Sequence, residues 1–485
     1  MLMEQMKKND AFTENGMVTN SSSFNACLDF FAIAGSCRAW TDEQIIAKFS
    51  KAMAENPLVA LKTLFFARDV RGGMGERRVF EVCSKYLDDT MEYREHLYEN
   101  LHLIPEYGRW KDIFHLRSPK VLSLIKNGLE EGNGLLAKWL PRKGPFAEKV
   151  RKFLGLTPKE YRQKIVAVSK VVEQQMCKKD WSGINYEHVP SLAMNKYRKA
   201  FSRNDGERFG SFINKVKTGE KKIHAGDLFP YQLYQAYRRH ENKDAVESQW
   251  NSLPNFLKDN TKKILPVCDT SGSMFCGGNP FPIDVSVSLG VYISERNEGI
   301  FKDGFVTFSN KPKLQYLRGS FYDRCRQLEK AEWGMNTNIE AVFDLVLNSA
   351  KRGNVPEEHM PDTILIISDM QFDSCTFYPK DSALDMIKRK YEESGYKIPS
   401  VVFWNVNARV DKIPVIFNSK GVCIVSGCTP AIFTSVLSGD IVDPEKIMLN
   451  AISSPRYSMV KLAGQEVEEV EKDEILDKYF GVLLY

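Results

Sequence analysis

Two hydrophobic patterns divide the chain. From Ser23 to about residue 245, apolar positions recur every three or four residues, as one face of a helix requires. Leu58, Leu61, Leu64 and Phe65 in NPLVALKTLFFARDV form one such stripe. ERRVFEVCSKYL, PKVLSLIKNGL, YRQKIVAVSKVVEQQM, VPSLAMNKYRKAF and RFGSFINKVK read the same way, set apart by short Gly, Pro or Asn punctuation. Ser21, Ser22 and Ser23 can cap the first helix. Helices this numerous, without strand-like alternation, predict an α-helical repeat (HEAT-like) solenoid over 23–245 behind a flexible polar lead at 1–22.

Beyond residue 262 the period changes. ILPVC (264–268), FVTFS (305–309), DTILIISD (362–369), SVVFWNV (400–406) and GVCIVSG (421–427) are short, continuous apolar runs rich in β-branched and aromatic residues. Helical segments such as IDVSVSLGVYISERN and NIEAVFDLVLNSAKR lie between them. Uninterrupted apolar strands alternating with helices predict a doubly wound parallel sheet covered on both faces. This α/β domain spans 262–440, and a partly helical C-terminal tail, 441–485, carries the acidic stretch EVEEVEKDEILDKY. The fold class is α plus α/β, multidomain, as a length of 485 residues also requires.

Charge sharpens this division. The whole chain carries +5, yet Lys138 to Lys222 holds 21 Lys or Arg against 8 Asp or Glu, which is +13. A basic block in an otherwise acidic chain points either to a polyanionic partner or to a solvated helical surface. Ten cysteines without a CxxC pair argue for reduced thiols and a cytoplasmic setting rather than a zinc ribbon or disulfide framework. No stretch reaches 18 apolar residues and the start has no apolar signal core, so neither membrane span nor signal peptide is expected.

The candidate chemistry lies at strand ends, where doubly wound sheets bind ligands. ILPVC is followed at once by Asp269, Ser271 and Ser273, a DxSxS pattern too short to be specific alone. Asp369 closes the run TILIIS, and Thr337 lies in a Gly/Asn turn before a helix. Two carboxylates and three hydroxyls are hard oxygen donors, suited to Mg²⁺ (or Mn²⁺) and poor for zinc. So few charges leave coordination positions for water or for an acidic group on a partner. Cys268 and Cys276 flank the motif without being ligands this ion prefers, and Cys268 reads as a small buried hydrophobe.

This set resembles the von Willebrand factor A domain and its metal-ion-dependent adhesion site. The resemblance implies that Asp269, Ser271, Ser273, Thr337 and Asp369 grip one divalent ion. The chain departs from the pattern at Met370, where many such domains have glycine. With VRGGMGERRVFE, YGRWKDIF, AKWLPRKG, YRQKIVAVSKVVEQQMCKKDWSGINYEHVPS and DLFPYQL before it, the layout resembles the Ro autoantigen (TROVE-module) family. It looks closer still to an uncharacterised Ro-like group, over roughly residues 25 to 440. The resemblance implies a helical ring and a non-catalytic role in binding small structured RNAs or single-stranded RNA ends, as a ribonucleoprotein.

Candidate RNA contacts are Lys138, Arg142, Lys143, Lys149, Arg151, Lys152, Arg198, Lys199 and Arg203, which could neutralise phosphates or simply be solvated. Trp139, Tyr161, Tyr186, Tyr197, Phe201 and Phe209 lie among them and either stack unpaired bases or fill the helical core. RGGMGERR most simply makes a tight turn between helices, since it lacks the GK[ST] ending of a Walker loop.

Catalysis is not expected. A haloacid-dehalogenase site needs a second acidic residue where Ser271 stands, and the chain has no GxSxG elbow and no HExxH helix. His188 and His224, the two histidines of the basic half, read as structural, since neither belongs to an evident constellation of nucleophile, base and oriented partner. The alternative to an RNA scaffold is a metal-dependent protein-interaction scaffold that recruits an acidic protein ligand without nucleic acid.

Overall fold

The computed structural model describes residues 9–169, 171–217, 228–258, 260–308, 311–331, 337–374, 383–436 and 441–465. The chain forms two compact units, the first built from residues up to Val79 and from 227 to Ile452, the second from the residues between and those from Ser453 on.

The first unit holds a short hairpin, β1 (Ala11–Phe12) and β2 (Val18–Thr19), and one six-stranded sheet. The sheet strands are β3 (Ile264–Cys268), β4 (Gly304–Thr307), β5 (Leu314–Tyr316), β6 (Thr363–Ser368), β7 (Ser400–Asn405) and β8 (Val422–Ser426). Their order is β5-β4-β3-β6-β7-β8, parallel throughout except for the antiparallel edge pair β4–β5. Every residue of β3, β4, β6 and β8 is buried. Burial on both faces is why these strands read as continuous apolar runs. β5 has no such run, since its residues are exposed or half-buried at the edge.

The chain leaves β3 toward β4 and β5 and returns to β6 on β3's other side. The strand order therefore reverses between β3 and β6, the switch point where open α/β sheets bind ligands. Cys268 pairs with Ile367 in that register, which sets Asp269 beside Ser368. The helix Pro282–Arg296, buried from Pro282 through Ser294, packs against β3, β4 and β6. Gly290 makes the close approach possible, because a Cβ there would run into Cys268 Sγ. Cys268 is fully buried, as expected of a small hydrophobe, and burial pushes its thiol up to about 12.

The N-terminal part departs from the expected layout. The helices Ala26–Ala34, Asp42–Glu55 and Pro57–Arg68 group with the sheet and not with the later helices. Ala26–Ala34 packs on β8, where Gly35 N donates to Ser426 Oγ at 2.9 Å. A Cβ on Gly35 would lie 2.6 Å from the Ser426 backbone, so only glycine allows this approach. Phe30 and Phe31 are essentially inaccessible to solvent, and each such burial contributes about 1.5–3 kcal/mol. Residues 11–20, expected within a flexible lead, form the hairpin instead. Asn20 and Ile413 exchange backbone hydrogen bonds at 3.2 and 3.0 Å, which anchors it.

The second unit is helical. Its elements include Met91–Glu99, Pro119–Glu130, Gly134–Trp139, Pro145–Phe153, Pro158–Ser169, Ser191–Asn204 and Gly206–Lys217. Gly134–Trp139 packs against Pro158–Ser169, and Ser191–Asn204 against Gly206–Lys217. One core cluster gathers Ile184, Tyr186, Val189, Met194, Phe201, Phe209 and Phe212. After residue 453 the chain adds Tyr457, stacked on Tyr107 at 5.5 Å, and Lys461, whose carbonyl accepts from Asn100 Nδ2 at 2.7 Å. The acidic stretch from 466 on lies outside the described residues. Among the described residues, no helix is long and apolar enough to cross a membrane.

Candidate metal centre and basic surface

Asp269 and Asp369 follow the last residues of β3 and β6, the two strands that flank the switch point. Asp269 is wholly buried. Its Oδ1 accepts the Ser271 N–H at 2.9 Å and its Oδ2 accepts the Ser368 hydroxyl at 2.6 Å. Its carbonyl accepts from Ser286 Oγ at 3.0 Å. Ser271 Oγ and Ser273 Oγ lie 3.0 Å apart. Asp369 is 1% exposed, and its Oδ1 accepts the Gln371 N–H at 3.3 Å. Its Oδ2 is buried with no hydrogen-bond partner.

The electrostatics follow from this crowding. Burial pushes the Asp269 carboxyl above its ordinary range, against hydrogen bonds from Ser368 and Ser271, and the Asp373 charge raises it further. Asp369 is pushed up by burial and by the Asp269 charge, while the Ser273 hydroxyl and the Arg409 guanidinium pull the other way. Two buried carboxylates of like charge, one oxygen unpartnered, form an expensive arrangement unless a cation or a proton compensates them.

Thr337, fully buried, joins the group through the Asp369 loop. Its hydroxyl donates to Gln371 O at 2.5 Å, and its N–H donates to Asp373 Oδ2 at 2.9 Å. It precedes the helix Ile339–Gly353, whose Asn338 cap accepts from Ala341 N. Met370, standing where the A-domain pattern often has glycine, has φ +64°. That left-handed conformation costs an ordinary residue roughly 1–2 kcal/mol. It is held here by burial of the side chain and by an N–H donated to Ser368 Oγ at 3.0 Å.

The donor set fits a hard divalent cation: two carboxylates and three hydroxyls, with a carboxylate oxygen left unpaired. The described residues hold no group of three or more His, Cys, Asp or Glu arranged to bind a metal, so any ion here rests on these few charges.

Sequence reasoning missed Ser368, Gln371 and Asp373, the supports of this group. Ser368 could have been found, since the residue before a strand-end aspartate lies beside the neighbouring strand's end. It also missed Asn15, whose Nδ2 donates to Thr337 Oγ1 at 3.2 Å and to Gln371 O at 2.8 Å. A tie across 322 residues leaves no local pattern.

The basic candidates all belong to the second unit. Lys138, Arg142, Lys143, Lys149, Lys152, Lys199 and Arg203 are exposed, and Arg151 and Arg198 are half-buried. Lys152 pairs with Glu148 at 2.9 Å, and Arg151 Nη1 donates to Leu156 O. The aromatics divide. Tyr161 is buried, Tyr186, Phe201 and Phe209 belong to the core cluster named above, and Tyr197 packs partly buried against that cluster, so these five are core residues. Tyr186 donates its hydroxyl hydrogen to Asp205 at 2.7 Å. Only Trp139 of the six is exposed, at 41%, with the Arg109 guanidinium 5.6 Å from its ring centre.

Comparisons with known proteins give relatives without a described activity. A family model described as a domain of unknown function (DUF2828) matches residues 13–128 and 140–262, and a second such domain (DUF7788) matches 263–477. An uncharacterised protein, L728, of Acanthamoeba polyphaga mimivirus is 28% identical over 95% of this chain and 90% of its own length. The crystal structure of the Deinococcus radiodurans RO (RSR) protein is similar with a TM-score of 0.42 at 12% identity, covering 90% of this chain and 99% of that one. Over nearly its whole length, then, the chain is similar to proteins known as domains of unknown function, with a solved Ro protein among the similar structures.

Proposed function

We propose that this protein is a non-catalytic scaffold whose first unit holds a divalent cation and whose second unit contacts RNA. Asp269, Ser271, Ser273, Thr337 and Asp369 would hold Mg²⁺ or Mn²⁺, and the ion would supply a Lewis-acidic position for an acidic group on a ligand. The observation that carries this reading is the pair of buried carboxylates at the switch point, with Asp369 Oδ2 unpartnered. The RNA part rests on exposed cations. Among the described residues, Lys138, Arg142, Lys143 and Lys149 have no carboxylate partner, and phosphates would neutralise them.

The test is binding of a single-stranded RNA across a salt series. Affinity that stays weaker than about 10⁻⁴ M at physiological salt, poorer than ordinary non-specific binding, rejects the RNA part. A second reading keeps the cation site and replaces RNA by an acidic protein ligand. It is favoured by the burial of Tyr161, Tyr186, Phe201 and Phe209, which removes them as base-stacking platforms. Under it, Mg²⁺-dependent capture of an acidic protein persists when the RNA experiment fails.

A further inference from the structure

We propose that Asn15 is a positioning residue of the candidate metal centre, acting through Thr337; the inference rests on the cation reading of that centre. Three contacts clamp the turn between β1 and β2 to the loop that carries Asp369, and a fourth ties it to Arg409 beyond β7. Thr13 Oγ1 donates to Phe372 O at 2.6 Å, and Glu14 N donates to Gln371 Oε1 at 2.8 Å. Gly16 forms a β-bridge with Asp373, and Glu14 pairs with Arg409 at 3.2 Å. Asn15, at the tip, sends its amide group to both Gln371 O and Thr337 Oγ1.

The chemistry of the Thr337 hydroxyl then follows by count. A carbonyl and a carboxylate only accept, so the hydroxyl's single proton goes toward Gln371 O at 2.5 Å, with Asp373 Oδ1 a longer second acceptor at 3.3 Å. The same reasoning fixes the Asn15 amide, because Gln371 O can only receive its N–H. The second Asn15 N–H therefore occupies one lone pair of Thr337 Oγ1. The other lone pair is left for a cation. Asn15 and Gln371 together set the direction in which that lone pair points. Groups that orient a metal ligand in this way, without touching the metal, typically change affinity 10–100-fold when removed. Asn15 is itself exposed, so its replacement leaves the core of the unit intact.

The experiment titrates the metal-stripped full chain with Mn²⁺ alone, reading free Mn²⁺ by electron paramagnetic resonance. It compares the wild type, Asn15→Ala, Thr337→Ala and the double variant. Asn15→Ala is expected to weaken Mn²⁺ binding about tenfold or more. It is expected to have no further effect once Thr337 is alanine, because its action passes through that hydroxyl. Unfolding of the metal-free proteins serves as the control, and a structural role alone would not reproduce the coupling. Equal Mn²⁺ affinity in the wild type and Asn15→Ala overturns the assignment and leaves the metal reading standing. The same loss in the Thr337→Ala background also overturns it. A wild type that binds no Mn²⁺ overturns both.

Discussion

Ser368 donates its hydroxyl hydrogen to Asp269 Oδ2 at 2.6 Å, tying together the ends of the two strands that flank the switch point. Ser368 also accepts the Met370 N–H, so one side chain fixes both the Asp269 carboxylate and the left-handed turn that follows Asp369. Ser368→Ala leaves a buried carboxylate oxygen without its partner. A loss of about 1–3 kcal/mol in unfolding free energy is expected, read from urea melts in EDTA. An unchanged midpoint contradicts this role.

The carboxylate pair makes opposite demands in the presence and absence of a cation. Asp369→Asn removes a buried charge facing Asp269 and should stabilise the metal-free protein, by roughly 1 kcal/mol or more. The same change should abolish the rise in melting temperature that Mg²⁺ gives the wild type. Thermal melts of both proteins in EDTA and in excess Mg²⁺ check the two signs together.

The pH dependence follows from the raised Asp369 carboxyl, whose ordinary value is 3.8. Between 3.8 and its raised folded value, the folded chain keeps a proton that the unfolded chain has released. Stability of the metal-free protein therefore falls as pH rises through that window and levels off above it. Stabilisation by Mg²⁺ should grow over the same range, since the ion competes with that proton. Melting temperatures taken from pH 5 to 8, with and without Mg²⁺, test the trend; one that rises with pH in EDTA contradicts it.

On the basic surface, charge reversal at Arg198, Lys199 and Arg203 should weaken single-stranded RNA binding at every salt concentration. If each contacts one phosphate, the slope of log affinity against log salt drops by about 2. Mg²⁺ stabilisation should stay as in the wild type, because the two activities are assigned to different units.

The aromatic assignments separate in the same assay. Trp139→Ala should lower RNA affinity, by about 1–3 kcal/mol if a base stacks there, with little change in stability. Phe201→Ala should cost about 3–5 kcal/mol of stability, because its ring is fully buried between Tyr186 and Phe209.

The sheet was legible in the sequence because strands buried on both faces leave no polar position inside them, so ILPVC and TILIIS announce themselves and their flanking aspartates. Asp269 and Asp369 could be placed for that reason. β5 was not legible, since an exposed edge of three residues imposes no apolar run. The β1–β2 hairpin was not legible either. Its strands are two residues long, and its bonds go to Gln371, Phe372 and Ile413, more than 350 positions away. Helical spacing identified Phe201 and Phe209 as lying on helices. It could not say whether that face meets RNA or Tyr186, which depends on how helices pack. The same limit hid the grouping of Ala26–Ala34 with β8, which turns on a close approach at Gly35.

The central claim is that Asp269 and Asp369 jointly hold a divalent cation. Isothermal titration of Mg²⁺ into the metal-stripped full chain, and into the Asp269→Ala, Asp369→Ala double variant, tests it most directly. Saturable uptake of one ion per chain by the wild type, absent from the variant, is the expected result. No uptake by the wild type, or equal uptake by both proteins, would contradict it.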